Sequence, residues 1–289
     1  MPPHPDRPEN VTTWLVIPYF DGDVGRKGGE RPLPAGKGAS WLCPAFRVDG
    51  VPGNTAFERG QPFQLELEVA NWGAGTLPAV ALVRLWWSDP TMSFAKATPI
   101  GQTSVVVPPD GKPRRTGVFT VTVPVGASPH VCLLAQVSAP IDGAGAVPDP
   151  VDDRHWAQLN LVEVAAATAQ TGTFPVLMGN PFDEPMRARV ATAPLTSGTA
   201  ERLAAARGRD VRADRDVEVR LVGEDGGEGS LTELGPHEVR AVQVTLAPEG
   251  GHAAGEPPYG FELVQTLFTD RDERPRHTGT LGVLVVPQA

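Results

Sequence analysis

Apolar and polar residues alternate in short runs along most of this chain. Phe63, Leu65, Leu67 and Val69 are interleaved with Gln64, Glu66, Glu68 and Ala70, and Phe119, Val121 and Val123 with Thr120 and Thr122. A period of two sends one face of a strand to a core and the other to water. Proline and glycine clusters such as Pro108-Pro109-Asp110-Gly111 separate the runs and favour turns. The beat continues to the C-terminus, which predicts an all-β fold of two sandwiches in series.

The runs order the chain into three parts. Residues 1–40 read as an extended N-terminal arm: 11–19 can add one strand, and 21–40 is rich in Gly, Arg and Pro. Residues 41–165 form the first sandwich, with strands expected over 45–48, 63–71, 80–88, 103–107, 118–123, 130–137 and 156–164. On 80–88, Arg84 marks the outer face, which places Leu82 and Trp86 beside it and leaves Val83, Leu85 and Trp87 for the core. A junction is expected at 166–172. The second sandwich spans 173–289, with strands over 174–178, 186–193, 217–222, 239–246, 259–269 and 280–286. A short helical insertion is expected at 200–207, where Ala, Leu, Glu and Arg run without a breaker. The loops 223–229 and 248–258 read as flexible.

Composition narrows the function. Glycine and proline number 32 and 31, but 40% of residues are hydrophobic, so strand formation outweighs disorder. The net charge of −9 argues against nucleic acid as a partner, which needs a basic stripe. The short basic run Lys112-Pro113-Arg114-Arg115 reads as a hairpin loop. No apolar run has the roughly 20 residues of a membrane span. The N-terminal residues lack the basic-then-apolar order of a secretory signal. The expectation is a soluble chain that is cytoplasmic, part of a particle, or exported by a non-standard route. Cys43 and Cys132 read as reduced, buried thiols, with a disulfide between them as the alternative.

Three groups of residues carry candidate chemistry. Asp149, Asp152 and Asp153, followed by Arg154 and His155, are the densest polar cluster. Its oxygens suit calcium, although the spacing lacks the glycine and terminal glutamate of a calcium loop; the competing reading is a solvated loop whose carboxylates cap turns. Asp21 and Asp23 read as a turn. Trp72, Trp86 and Trp87 form an aromatic cluster, in which an outward Trp86 beside Arg84 makes an interface hot spot. In the arm, Trp14, Leu15, Val16 and Ile17 form an apolar segment suited to docking on a neighbour. Removing residues 1–40 is then expected to leave both sandwiches folded and to weaken self-association. No catalytic motif with its required context occurs: there is no G-x-S-x-G, H-E-x-x-H, Walker loop or dinucleotide fingerprint.

Residues 41–165 resemble the CARDB-like branch of bacterial immunoglobulin-like domains. The likeness rests on an ordered set. It runs from Trp41-Leu42-Cys43-Pro44 to Val69-Ala70-Asn71-Trp72-Gly73, then Val83-Arg84-Leu85-Trp86-Trp87-Ser88-Asp89-Pro90. Ile100-Gly101, Val107-Pro108-Pro109-Asp110-Gly111 and His130-Val131-Cys132-Leu133-Leu134-Ala135 follow. The resemblance implies a seven-stranded sandwich with an adhesive, spacing or assembly role and no catalysis. The second half is only generically similar to such domains. The whole chain is therefore expected to be two tandem immunoglobulin-like β-sandwich domains behind an extended arm. It would act as a structural or interaction protein of a larger bacterial or phage-derived assembly, through protein partners or self-association and without a cofactor. The alternative is a carbohydrate- or cell-surface-binding module supported by calcium.

Overall fold

The computed structural model describes residues 8–25, 33, 39–54, 57–128, 130–167, 172–208, 210–213, 217–222, 231–248, 256–270 and 272–288. The expected loop 223–229, most of 26–38, part of 248–258 and part of the expected junction lie outside the described residues. The chain is all-β apart from one helix and forms two compact units, each built from two sheets in an immunoglobulin-like sandwich.

The first unit draws on residues 1–87, 97–129 and 133–159. Its strands are β1 (Leu15–Val16), β2 (Phe46–Val48), β3 (Val51–Pro52), β4 (Pro62–Asn71), β5 (Ala79–Ser88), β6 (Thr98–Val107), β7 (Arg114–Arg115), β8 (Phe119–Thr122), β9 (Cys132–Ser138) and β10 (Trp156–Leu159). In one sheet β4 is the hub, pairing with β1, β2, β7 and β8, while β3 continues from β2. The other sheet has the order β10-β9-β5-β6. The alternation of β4 is realised as read: Phe63, Leu65, Leu67 and Val69 are buried, while Gln64 is exposed. On β5, Ala81, Val83 and Leu85 are buried and Val80 and Arg84 exposed. Trp87 departs from the expected core position. Opposite the step from Leu85 to Trp86, β6 carries one extra residue, Ile100, and at this irregular end of the ladder both indoles are half-buried.

The second unit draws on residues 88–96, 130–132 and 160–289. It contains β11 (Leu161–Ala167), β12 (Gly172–Gly179), β13 (Met186–Pro194), α1 (Ser197–Arg207), β14 (Val217–Val222), β15 (Leu231–Leu234), β16 (Val239–Pro248), β17 (Tyr259–Thr269) and β18 (Asp272–Gln288). The sheets have the orders β11-β18-β17-β13-β15 and β12-β16-β14. The helix starts at Thr196, whose hydroxyl accepts the Thr199 N–H at 3.2 Å, and stops at Gly208 in the left-handed region.

Besides the added strands β3, β7 and β15 and the earlier start of β6, two elements depart from the sequence expectation. The strand expected over 156–164 divides at Asn160, and its second half, β11, pairs in parallel with β18 of the second unit. Asn160 is fully buried, and its side-chain amide donates to the carbonyls of Thr91 and Thr280 at 2.6 and 2.9 Å. These bonds satisfy the amide N–H groups at the point where the chain changes sheets, while the buried Oδ1 has no hydrogen-bond partner among the described residues. The final strand runs over 17 residues rather than the expected seven, because the polar segment from 272 to 279 continues the antiparallel ladder with β17.

Candidate functional site

The sheet β10-β9-β5-β6 has two edges, and the sequence treats them differently. The first is closed by the chain's own N-terminal segment. The Ile17 N–H donates to the Arg154 carbonyl at 3.1 Å, and the Tyr19 hydroxyl accepts the Gln158 N–H at 3.1 Å. The Cys43 N–H donates to the Gln158 carbonyl at 3.2 Å, and Leu42 bridges Leu159. β10 therefore has partners for its outward main-chain groups. Leu15, Val16 and Ile17 are 0% exposed. β1 pairs with the end of β4, Leu15 facing Asn71 and Val16 facing Ala70.

This placement corrects the expectation that Trp14, Leu15, Val16 and Ile17 dock on a neighbour. The segment docks on its own sheet, because its aliphatic side chains complete the core of the first unit. Trp14 is half-buried: Arg154 stacks on its ring at 3.4 Å, and its indole N–H donates to the Val24 carbonyl at 2.8 Å. Asn71, from the Val-Ala-Asn-Trp-Gly run, anchors the arrangement. Its Oδ1 accepts the Trp14 and Gly73 N–H groups, each at 2.9 Å, and its Nδ2 donates to the Val107 carbonyl at 3.2 Å. Asp23 acts as the turn residue read from sequence, accepting the N–H of Tyr19 and of Gly25 at 2.9 and 2.8 Å.

The second edge is β6, and among the described residues no strand pairs with its outer side. β6 is ten residues long and contains no charged side chain; Gln102, Ser104 and Val106 are exposed. Natural sheets blunt such edges with charges, proline, bulges or short strands. The other edges in the described structure show these devices. β1, β3, β7, β8 and β15 have two to four residues. β12 carries Pro175 at its middle, and β11 and β14 carry Glu163, Glu218 and Arg220. In β6 the one proline, Pro99, and the bulged residue Ile100 both sit at the start, and Gly101 to Val107 pair regularly with β5.

The Val107 end of β6 adjoins an apolar surface. Val106 faces Val80 across the ladder, and both are more than half exposed. Leu77 (79% exposed) and Ile141 (69%) lie along a groove of about 710 Å³ that also includes Val80 and Pro140. Ile141 is held outward by a tight turn in which Ala139 and Asp142 exchange main-chain hydrogen bonds at 2.9 and 3.0 Å. Sequence reading missed this surface. The signal available was the absence of charge from 98 to 107, but that absence does not tell an edge strand from a central one.

Arg84 and Trp86 share the outer face of β5, as their alternation implied. Arg84 donates to the Gln136 side chain at 3.2 Å, and Trp86 leans on buried Trp156 with ring centroids 5.7 Å apart. The acidic loop divides its roles. Asp149 accepts the N–H groups of Val151 and Asp152 at 3.2 and 3.0 Å, as a turn cap. Asp153 accepts the Gly145 N–H at 2.8 Å and the His155 N–H at 2.9 Å, and it meets His155 Nδ1 at 2.7 Å. Among the described residues, no group of three or more His, Cys, Asp or Glu side chains is placed to hold a metal ion, Asp149, Asp152 and Asp153 included.

The loop instead builds a buried charge cluster around Asp142, which the sequence reading did not single out. Asp142 accepts the Leu15 N–H at 2.6 Å, pairs with Arg154, and lies 3.1 Å from His155 Nε2. Burial alone would lower the His155 pKa, but its bonds to Asp142 and Asp153 outweigh burial and hold it above the usual value. Burial would likewise raise Asp153, but the bonds from His155 and Gly145 hold it below the ordinary carboxylate value. Cys43 and Cys132 are buried free thiols, and burial pushes Cys132 upward, away from thiolate reactivity. No helix among the described residues is long and apolar enough to cross a membrane.

No model of a known family matches the chain, and no curated protein does. Among solved structures it is similar to the SafA pilin of Salmonella enterica in complex with the SafB chaperone, at 11% identity and a TM-score of 0.25. It is also similar to a family 123 glycoside hydrolase from Clostridium perfringens (9%, 0.26) and to the CupB6 tip adhesin from Pseudomonas aeruginosa (8%, 0.25). The matches cover 45%, 45% and 80% of this chain, and 59%, 24% and 94% of those chains. The chain thus spans less than two thirds of the first two. At these scores the likenesses carry no argument about activity or partner; the fold assignment rests on the strands and sheets themselves.

Proposed function

We propose that the chain is a non-catalytic interaction module, a subunit or decoration of a larger bacterial or phage-derived assembly, and that its binding element is β6. The observation that carries this reading is the contrast between the two edges of one sheet. One is closed by the chain's own N-terminal segment; the other is ten residues long and uncharged, with its outer side unpaired among the described residues. An extended strand laid along β6 gains main-chain hydrogen bonds, and alternate side chains supply selectivity. The CARDB-like character of residues 41–165 supports the same role, since that resemblance implies spacing and assembly without catalysis.

The test uses random decapeptides displayed on phage, selected on the full chain and then compared on a Ser104→Lys/Val106→Lys variant. Both positions are exposed, so the variant keeps its core. The expected outcome is a set of uncharged, alternating sequences whose binding falls at least tenfold (about 1.4 kcal/mol) on the variant. A selection that enriches nothing, or peptides indifferent to the two lysines, refutes the reading.

A further inference from the structure

We infer that the strand β6 accepts is the β6 of a second copy of this chain, the two running antiparallel about a two-fold axis. This rests on the reading of β6 as an acceptor edge and adds the identity of its partner. Charge supplies the first argument. Each copy carries a net −9, so two copies repel, and the cost is least where the meeting surfaces add no like charges of their own. β6 offers such a place, and a homotypic antiparallel pair sets ten uncharged residues against the same ten, with no like charges opposed.

Self-complementarity supplies the second. With the two-fold axis at Thr103, each Gln102 lies opposite Ser104 of the second copy, polar against polar. Each Val106 falls beside Ile100 of the second copy, aliphatic next to aliphatic, where the regular ladder of β6 ends. The exposed patch of Leu77, Val80 and Val106 sits at the Val107 end of β6. In an antiparallel pair that end meets the partner's Thr98–Ile100 end, so the added strand runs beside Val106 at the rim of the apolar patch. The interface is isologous and closes as a dimer, leaving no further β6 edge to propagate.

Light scattering on a sizing column, from low micromolar to several hundred micromolar chain, tests this. The expected result is a mass rising from 30.6 kDa toward twice that value, and a Ser104→Lys/Val106→Lys chain that stays monomeric with unchanged circular dichroism and melting. A second variant, Thr103→Cys, probes the axis directly, because Cys43 and Cys132 are buried. It should form an intermolecular disulfide faster than Gln64→Cys, whose thiol lies on the other sheet. A chain that is monomeric throughout overturns the inference, as does a dimer indifferent to the lysines or equal crosslinking at 103 and 64. If the monomeric chain still captures the selected decapeptides through β6, the second copy is excluded and the acceptor edge stands. If it captures none, both fall.

Discussion

At the scale of single residues, His155 has the clearest measurable consequence. It lies between Asp142 and Asp153, with Arg154 also facing the site, and Asp142 in turn holds the Leu15 N–H. Its charged form therefore helps fasten the N-terminal strand. A histidine whose folded pKa is raised contributes stability that is fully present below its unfolded value, near 6.5, and lost as pH rises through the folded value. Asp153, held low, contributes above its unfolded value near 3.8 and loses that contribution as pH falls. The first unit should thus be most stable between these limits. Melting followed from pH 6 to 9 should show its transition falling, and His155→Gln should lower the melting point at pH 6 and flatten the slope. A parallel slope in the variant would assign the pH dependence elsewhere.

At the scale of elements, the N-terminal segment and β6 are opposite solutions to the same problem. The segment closes the β10 edge and buries Leu15, Val16, Ile17 and Tyr19 to 1% exposure or less. Burying one large apolar side chain contributes roughly 1.5–3 kcal/mol. Losing four costs on the order of 6–12 kcal/mol, comparable to the roughly 5–15 kcal/mol that holds a domain together. Deleting residues 1–25 should therefore abolish the cooperative unfolding transition of the first unit in calorimetry, while that of the second persists. Two intact transitions in the truncated chain would contradict this. The outcome reverses the one expected from sequence, where an arm rich in proline and glycine read as separable. Local composition did not show that its short apolar centre fills an edge of the sheet built from residues more than a hundred positions later.

At the scale of the whole molecule, the net charge of −9 sets how association responds to salt. A dimer joined by uncharged strands on mutually repelling copies gains when salt screens the repulsion, since the Debye length shortens from about 30 Å at 0.01 M to about 3 Å at 1 M. The dissociation constant measured by analytical ultracentrifugation should therefore fall as sodium chloride rises from 20 to about 500 mM, by roughly threefold to tenfold. Weaker association at high salt would point to an interface held by opposite charges and away from β6.

By itself the sequence determined the fold class, most strands and the facing of their side chains, because a period of two is a local property that burial preserves. Val83 and Leu85 inward, Arg84 outward, and the capped helix before Gly208 follow from residues within a few positions of one another. The tertiary structure alone decided which strands became edges, where Asn160 hands the chain from one sheet to another, and which acid joins His155. Each of these depends on pairing between distant segments, and hydrogen-bond partners brought together by folding leave no periodic trace in the chain.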